Sequence, residues 1–402
     1  MAALALTLSA TAQTPSWIRR NSISPDGSTI AFSYKGDIYT VPASGGQARQ
    51  LTSNQAFDSN PIWTRDGKNI VFISYRESGK DIYITSEDGG VPRRITNLPG
   101  NETPLAVLPD GSILFSWYNG SIESESYGDF PGTAQLYRTD IHGAAPELVT
   151  SLPVKALSIN SEGTIIYEDY KGYEDDLRKH HTSSVTRDIW KYVPAAGDKR
   201  LCITSNGSFT RLSDYKGEDR NPVFAADGDT FYYLSERDGK TSNVFRSSLS
   251  APQTSVQLTF ETRNPVRFLS ISEDGTLAFS LNGDLYTMKD GALPAKVPIT
   301  VTRDENEREI QKYNYSSGAS SMAVSPDGKE IAMVIRGDVF VTSADYKTTR
   351  RITNTPVQER NVDFSADGRE IYYSSERNGH WGIWKTSLVR KEDKMFTYAV
   401  QT

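Results

Sequence analysis

The fold is decided by residues 24–52, which read SPDGSTIAFSYKGDIYTVPASGGQARQLT. A Ser-Pro-Asp-Gly turn is followed by an apolar segment, then by Asp37-Ile38-Tyr39, and finally by Leu51-Thr52. The proline of the turn presets φ near about −65°. The glycine accepts the left-handed conformation that a tight hairpin with a bulge requires. The stretch therefore predicts short antiparallel strands joined by tight turns.

The same pattern recurs along the whole chain of 402 residues. An Asp-Gly or Glu-Gly pair stands at 26–27, 66–67, 110–111, 162–163, 227–228, 274–275, 327–328 and 367–368. A third strand with an aromatic residue follows each pair, as in Asp81-Ile82-Tyr83. A Leu-Thr, Ile-Thr or Val-Thr pair ends seven of the copies, at 51–52, 95–96, 149–150, 203–204, 258–259, 299–300 and 352–353. A period of roughly 40 to 50 residues is typical of propeller blades.

Each unit is predicted to be a four-stranded antiparallel sheet, so the fold class is all-β. The second strand of a unit is apolar on both faces, as in Ile70-Val71-Phe72-Ile73. This is expected of a sheet that another sheet covers on each side. No long segment has the 3.6-residue period of an amphipathic helix, so we expect little helix.

The order of the repeats predicts where one ring ends. Residues 303–312 read RDENEREIQK and follow the sixth Ile-Thr pair, so they indicate a domain boundary or a solvated loop. We expect a six-bladed β-propeller over residues 14–300, a linker over 301–320, and the first two blades of a second, incomplete propeller over 321–402. Two blades cannot close a ring, because propellers have about four to eight.

The competing division is a single eight-bladed ring that spans the chain. Against it stands the tail, residues 389–402, which carries a charged cluster and then a strand-like run, Met395 to Val400. This run is predicted to lead into a ninth unit.

Composition excludes several classes of protein. The chain has 44 Lys plus Arg against 50 Asp plus Glu, a net charge of −6, and it lacks the clustered basic residues of a nucleic-acid-binding protein. No stretch approaches the roughly 18 apolar residues of a membrane span. The single cysteine, Cys202, rules out an intrachain disulfide framework or a multi-cysteine metal cluster. We predict no cofactor.

Residues 1–13, MAALALTLSATAQ, resemble the end of a secretory signal peptide. An apolar run is followed by small residues and an A-x-A pattern that places cleavage near Ala12. The segment is interpreted as a signal-peptide remnant and predicts a periplasmic or secreted protein.

Several motifs resemble a known family. The segments SPDGSTIAF (24–32), SERDG (235–239), SERNG (375–379) and RRIT (93–96 and 350–353) resemble TolB-type, WD-like propeller repeats. Their order, together with the insert HHTSSVTRDIW (180–190), is similar to the N-terminal half of tricorn-type serine proteases, in particular to secreted bacterial homologues.

The resemblance implies a noncatalytic propeller region that gates or filters peptides. In the family a six-bladed propeller is followed by a seven-bladed one, and the serine-protease core lies beyond both, with a PDZ-like domain. The implied partners are peptides passing through the channel and the C-terminal protease domains of the same polypeptide, with a homo-oligomer as a further option. No catalytic residue is predicted in this chain. Two alternatives stay open, a TolB-like protein-protein interaction module and the propeller cap of a prolyl-oligopeptidase-type enzyme.

The candidate channel residues are polar side chains just before an innermost strand: Asn60, Arg220, Asn221, Asn264, Arg360 and Asn361. The connection into that strand runs along the rim of the axial channel, so these side chains are predicted to line its mouth. Asparagine and arginine can bond peptide carbonyls and carboxylates. The alternative is that the Asn-Pro pairs only cap turns.

Neither a metal site at the histidine pair nor a serine-nucleophile motif is predicted. His180 and His181 are adjacent, so on a strand they would point to opposite faces and would not share one metal ion. The sequence contains no G-x-S-x-G elbow, so no serine nucleophile of that type is predicted.

Overall fold

The computed structural model describes residues 14–402 except 78, 119–133, 174, 176, 178–184, 196–206, 214, 238–240 and 303–316. These residues form strands and turns, and the single helical element among them is a 3-10 turn, Arg377–Gly379. None of their helical segments has the length and apolar character needed to cross a bilayer. The predicted signal remnant, the pair His180-His181, Cys202 and the charged run 303–312 lie outside the described residues.

The protein is all-β, with a propeller-like arrangement of antiparallel sheets, as the sequence predicts. Its chain divides into two compact units, Met1–Glu305 and Asn306–Thr402. The first unit holds sheets 1 to 6 and the second holds sheets 7 and 8. In every sheet, consecutive strands of the chain pair with each other.

The strands of the first unit follow in chain order. Sheet 1 contains β1 (Arg19–Ile23), β2 (Thr29–Tyr34), β3 (Asp37–Pro42) and β4 (Gly46–Gln50), and sheet 2 contains β5 (Asp58–Trp63), β6 (Asn69–Ser74), β7 (Asp81–Ser86) and β8 (Arg93–Arg94). Sheet 3 contains β9 (Asn101–Val107), β10 (Ser112–Tyr118), β11 (Gln135–Asp140) and β12 (Glu147–Thr150), and sheet 4 contains β13 (Val154–Ile159), β14 (Ile165–Asp169), β15 (Ile189–Val193) and β16 (Ser208–Arg211). Sheet 5 contains β17 (Asp219–Phe224), β18 (Thr230–Ser235), β19 (Asn243–Ser248) and β20 (Val256–Gln257), and sheet 6 contains β21 (Val266–Ile271), β22 (Leu277–Leu281), β23 (Asp284–Met288) and β24 (Ala295–Lys296). A last strand, β25 (Ile299–Val301), joins sheet 1.

The second unit continues the pattern with two sheets. Sheet 7 contains β26 (Ala319–Val324), β27 (Glu330–Ile335), β28 (Asp338–Ser343) and β29 (Thr349–Arg351), and sheet 8 contains β30 (Glu359–Phe364), β31 (Glu370–Ser375) and β32 (Gly382–Ser387). Among the described residues sheet 8 has three strands, as expected from the missing eighth Ile-Thr pair.

The predicted turns are confirmed. All eight turn glycines have φ between +70° and +81°, a region that favours glycine. In the first turn Ser24 Oγ donates to Asp26 Oδ1 at 2.6 Å, and the Ser28 amide donates to the same oxygen at 3.0 Å. These hydrogen bonds, that of Ser24 foremost, hold the pKa of Asp26 below its usual value.

Apolar clusters fill the spaces between consecutive sheets of the first unit. Ala31 and Ile38 of sheet 1, for example, pack with Phe72 of sheet 2. Comparable clusters join sheets 2 and 3, 3 and 4, 4 and 5, and 5 and 6. A sixth cluster joins Phe32 of sheet 1 to Leu285 of sheet 6. The series of sheet contacts therefore returns to its first sheet.

One strand differs from the prediction. Ile299-Thr300 does not end sheet 6, which ends with β24; it lies in β25 and pairs in parallel with β4, Ile299 opposite Gly46. Gly45 makes this approach possible, because a Cβ there would lie 2.5 Å from Pro298. The last strand of the first unit thus completes the first sheet.

A second difference concerns the outer edge of sheet 4. The pair there is Leu212-Ser213, and the predicted pair Ile203-Thr204 lies outside the described residues. Ser213 Oγ accepts from the Ile189 amide at 3.3 Å. Thr52 Oγ1 accepts from the Ile38 amide at 3.0 Å in sheet 1. Serine can replace threonine at this position because the hydrogen bond from the strand amide needs only the hydroxyl oxygen as acceptor.

The predicted strand from Met395 to Val400 is wrong: this segment forms turns. Its Phe396 is fully buried in the core of the second unit. The Glu330 carboxylate accepts from the backbone amides of Phe396 and Thr397 at 3.0 and 2.7 Å. These contacts tie the segment to sheet 7.

A buried acid opens the first strand of sheets 2, 5 and 8. It is paired with an arginine that stands two residues after the last serine of the second strand, as in Ser235-Glu236-Arg237. Asp219 is fully buried and lies 2.9 Å from Arg237 Nη2. The guanidinium also lies over the rings of Tyr233 and Phe245, 5.5 and 5.4 Å from their centroids. Burial raises the pKa of Asp219, and the positive charge of Arg237 opposes this shift.

We expect Arg237→Ala to lower the free energy of unfolding by about 3 to 5 kcal/mol, because it leaves a buried carboxylate without its ionic partner. The matched control is Arg246→Ala, since the Arg246–Asp290 pair is partly exposed and such pairs contribute less than about 1 kcal/mol. Urea unfolding of both variants measures the difference. Equal losses would contradict a structural role for the buried pair.

Candidate functional site

The first unit contains an open cavity of about 430 Å³. Side chains and backbone from the first strand of all six sheets, β1, β5, β9, β13, β17 and β21, line it. A space bounded by every sheet of a unit is the axial position of a propeller. The cavity is therefore the candidate site.

A recurrent backbone feature shapes the cavity wall. Four residues have left-handed φ values between +49° and +57° beside a register shift in the first strand: Arg20, Asn60, Asn221 and Phe268. Each stands seven positions before the turn glycine of its unit. Asparagine tolerates this conformation better than most residues, which gives the Asn-Pro pairs of β5 and β17 a structural reason.

The structure places three predicted channel residues, Asn60, Arg220 and Asn221, along this one cavity. Asn264 precedes β21 and is not part of the cavity lining. The bulge of β21 falls at Phe268, four residues after Asn264. A role of Asn264 at the channel mouth stays a prediction.

The other two predicted residues, Arg360 and Asn361, lie in β30 of the second unit. Asn361 has φ +54° at the register shift of β30, so it repeats the backbone feature of the first unit. The Arg360 guanidinium lies over the Trp381 ring, 4.8 Å from its centroid. A role of these residues in ligand contact stays a prediction.

The carboxamide of Asn221 has a structural partner. Its Nδ2 donates to the Leu269 carbonyl at 3.0 Å and its Oδ1 accepts from the Leu269 amide at 2.9 Å. These two bonds tie β17 to β21. They match the capping alternative better than direct ligand contact.

Sequence reasoning identified one charged residue of the cavity, Arg220, and missed the others. The lining contains seven cationic side chains, Arg20, Arg65, Lys80, Lys155, Arg187, Arg220 and Arg267, against two acidic ones, Glu168 and Glu273. Counting seven residues back from each turn glycine locates the bulge, and the cations of β1, β13, β17 and β21 lie at or beside it. This fixed spacing from the turn glycine was the sequence signal that could have located these cations.

One acid of the lining is already paired. Glu168 Oε1 lies 2.9 Å from Arg187 Nη1, and its Oε2 accepts from the Asn221 amide at 2.8 Å. Arg187 Nε also lies 3.5 Å from Glu218 Oε1. All three charged side chains are at most 5% exposed. This network fixes one wall of the cavity.

Around Lys80 the charged side chains of the cavity lining are cations that repel one another, in contrast to the ion-paired network of Glu168 and Arg187. The Lys80 Nζ donates to Thr103 Oγ1 at 2.6 Å. Burial, foremost, and the positive charges of Arg20 and Lys155 together lower the pKa of Lys80 to about 8, while Glu102 opposes the shift. Arg20 in turn lies over the Phe268 ring, 4.7 Å from its centroid. Three cations from sheets 1, 2 and 4 therefore converge on one region.

No group of three or more His, Cys, Asp or Glu side chains that could hold a metal ion is present in the part of the chain that the structure describes. The cavity offers instead ammonium and guanidinium donors, which bind carboxylate or phosphate oxygens.

Comparison with known proteins identifies the family. The sequence profile of the tricorn protease N-terminal beta propeller domain matches residues 15–292. The chain belongs to this family. The match covers sheets 1 to 5 and the first three strands of sheet 6, and it ends before β24.

Two curated proteins of Streptomyces coelicolor align with most of this tricorn-type chain. Tricorn protease homolog 1 is 21% identical over 90% of this chain and 31% of its own length. Putative tricorn protease homolog 2 is 22% identical over 90% and 30%. A crystal structure of the tricorn protease superposes with a TM-score of 0.60 at 18% identity, over 90% of this chain and 33% of that one. The chain thus spans about a third of the length of these relatives.

We expect the Lys80 amine to titrate near pH 8, below the ordinary lysine value of 10.5. The folded state then binds fewer protons at Lys80 than the unfolded state between about pH 8 and 10.5, so this group's contribution to stability rises with pH. Lys155→Gln should raise the pKa of Lys80, because it removes a neighbouring positive charge. NMR titration of dimethylated lysines measures this.

The control is Lys191→Gln, a lysine of β15 outside the cavity lining. It should leave the titration of Lys80 unchanged. A Lys80 amine that titrates with the other lysines, or a Lys155→Gln variant without effect, would show that the three cations do not share one environment.

Proposed function

We propose that this chain is the noncatalytic propeller region of an exported tricorn-like serine protease. It gates or filters peptides on their way to or from a protease core outside these 402 residues. Sheets 1 to 6 would form a closed six-bladed propeller, and sheets 7 and 8 the first two blades of a second. The observation that carries the proposal is the cavity bounded by the first strand of all six sheets.

The blade count is supported by the packing of the first unit. Six apolar clusters join neighbouring sheets, and one of them connects sheet 6 with sheet 1. The parallel pairing of β25 with β4 joins the end of the unit to its beginning. The proposed linker accordingly begins after Val301 rather than after residue 300.

Family membership and the greater length of the relatives support a protease core outside these 402 residues. The relatives named as tricorn proteases are about three times as long as the matched region. The apolar and small residues of segment 1–13 support export.

Ala156 lies in the cavity lining at the register shift of β13, and a larger side chain there would narrow the passage. In the longer protein that contains the protease core, we expect Ala156→Trp to slow cleavage of long peptides by about tenfold or more, which is about 1.4 kcal/mol or more in the barrier. Cleavage of small chromogenic substrates should change less. Steady-state rates with both substrate types measure this.

The matched control is Ala251→Trp, in an exposed turn of the same unit. It adds the same side chain outside the cavity and should leave both rates unchanged. If Ala156→Trp folds, and long peptides are cleaved at the normal rate, the cavity is not a passage. Passive gating also requires weak binding of neutral peptides, so tight stoichiometric binding in calorimetry would contradict it.

A further inference from the structure

The cavity of the first unit carries a charge opposite to that of the whole chain. The net charge of the protein is −6, yet cations outnumber acids seven to two in the lining. One of the two acids, Glu168, is paired with Arg187 at 2.9 Å. A low-dielectric cavity with one sign of charge focuses its field and raises the local concentration of counter-ions. The cavity therefore attracts anions.

The cations that converge have side chains suited to carboxylates. Lys80 lies between sheets 2 and 3, held by its hydrogen bond to Thr103 Oγ1. Lys155 and Arg20 are close enough to it to disfavour its charged form. A bound anion would relieve this mutual repulsion, since an opposite charge at about 4 to 6 Å favours the protonated amine.

The position of the cluster narrows the class of ligand. It lies inside a cavity of about 430 Å³, within the range of small-ligand sites and too small for a folded macromolecule or a duplex. Arg20 is held over Phe268, so the guanidinium is positioned before a ligand arrives. Peptides are the molecules that the proposed function brings to this cavity.

We propose that Arg20, Lys80 and Lys155 bind the side-chain carboxylates of acidic peptides, so that the cavity selects aspartate- and glutamate-containing segments by charge. This inference rests on the proposed function for the access of peptides to the cavity. It adds a selectivity that size filtering alone does not give.

The test is calorimetric titration of the full chain with acetyl-triglutamate amide and acetyl-triglutamine amide. Both ends of each peptide are blocked, so only side-chain carboxylates differ. We expect the triglutamate peptide to bind at least about tenfold more tightly, a difference of about 1.4 kcal/mol. Its affinity should fall as salt is raised from ~50 to ~300 mM, because exposed ionic attraction is screened.

Single-residue variants test whether the difference in affinity comes from the cavity lysines. Lys80→Gln and Lys155→Gln should each lower the affinity for triglutamate several-fold and leave that for triglutamine unchanged. Lys191→Gln removes one lysine outside the cavity and should leave both affinities unchanged. Lys155 is exposed, so its variant keeps the test valid if Lys80→Gln fails to fold.

Equal affinities for the two peptides would overturn the inference, as would a loss in Lys191→Gln equal to that in the cavity variants. The outcome is separable from that of the proposed function. If Ala156→Trp slows long-peptide cleavage while the two peptides bind equally, the proposal of charge selectivity is contradicted and the proposed passage of peptides stands. If triglutamate binds selectively and Ala156→Trp has no effect on long-peptide cleavage, the proposed passage of peptides is contradicted and charge selectivity stands.

Discussion

The structure depends on a carboxylate that is buried at the start of a sheet and held by groups from two neighbouring sheets. Glu359 of sheet 8 accepts from Thr353 Oγ1, at the end of sheet 7, at 3.1 Å and from Ser375 Oγ of its own sheet at 3.0 Å. Arg377 Nη2 lies 3.7 Å away. In sheet 3, Glu102 likewise accepts from Thr96 Oγ1 of sheet 2 at 3.0 Å. Apolar packing between sheets is non-directional, whereas these bonds have fixed geometry, so they set how sheet 2 meets sheet 3 and how sheet 7 meets sheet 8.

The cavity follows from the bulges of the first strands. In each first strand of the first unit, residues at the register shift line the cavity. At this place the sequence supplies Arg20, Lys155 and Arg220. A chain with net charge −6 thereby acquires a cationic interior, and the Asn221 carboxamide and the Glu168–Arg187 pair keep its wall in place. The structural repeat and the charge of the cavity thus have one origin.

Much of the fold could be predicted because it depends on local rules. The turn glycines need positive φ, and residues such as Ile70 to Ile73 are apolar on both faces, so both features appear in the sequence. Pairings between distant residues were harder to predict. The strand β25 has the same Ile-Thr pair as the outer strands, and only the parallel pairing with β4 in the structure shows that it belongs to sheet 1. Asn264 was chosen for its residue type, whereas position relative to the turn glycine decides which side chain reaches the cavity. Lys80 stands directly before the repeated Asp81-Ile82-Tyr83 motif, and Arg187 holds the same position before Asp188-Ile189-Trp190. Both side chains line the cavity, so this repeat position could have revealed them.

Closure of the first unit by its own strands is tested most directly by two fragments, residues 14–302 and residues 14–297, the second lacking β25. A closed unit predicts that 14–302 unfolds in one cooperative thermal transition, at the temperature of the first unit in the intact chain. Loss of the buried Ile299 and Val301 should lower that temperature by at least ~5 °C in the shorter fragment. If 14–302 stays unfolded, or needs residues 317–402 for a cooperative transition, the ring does not close after six sheets.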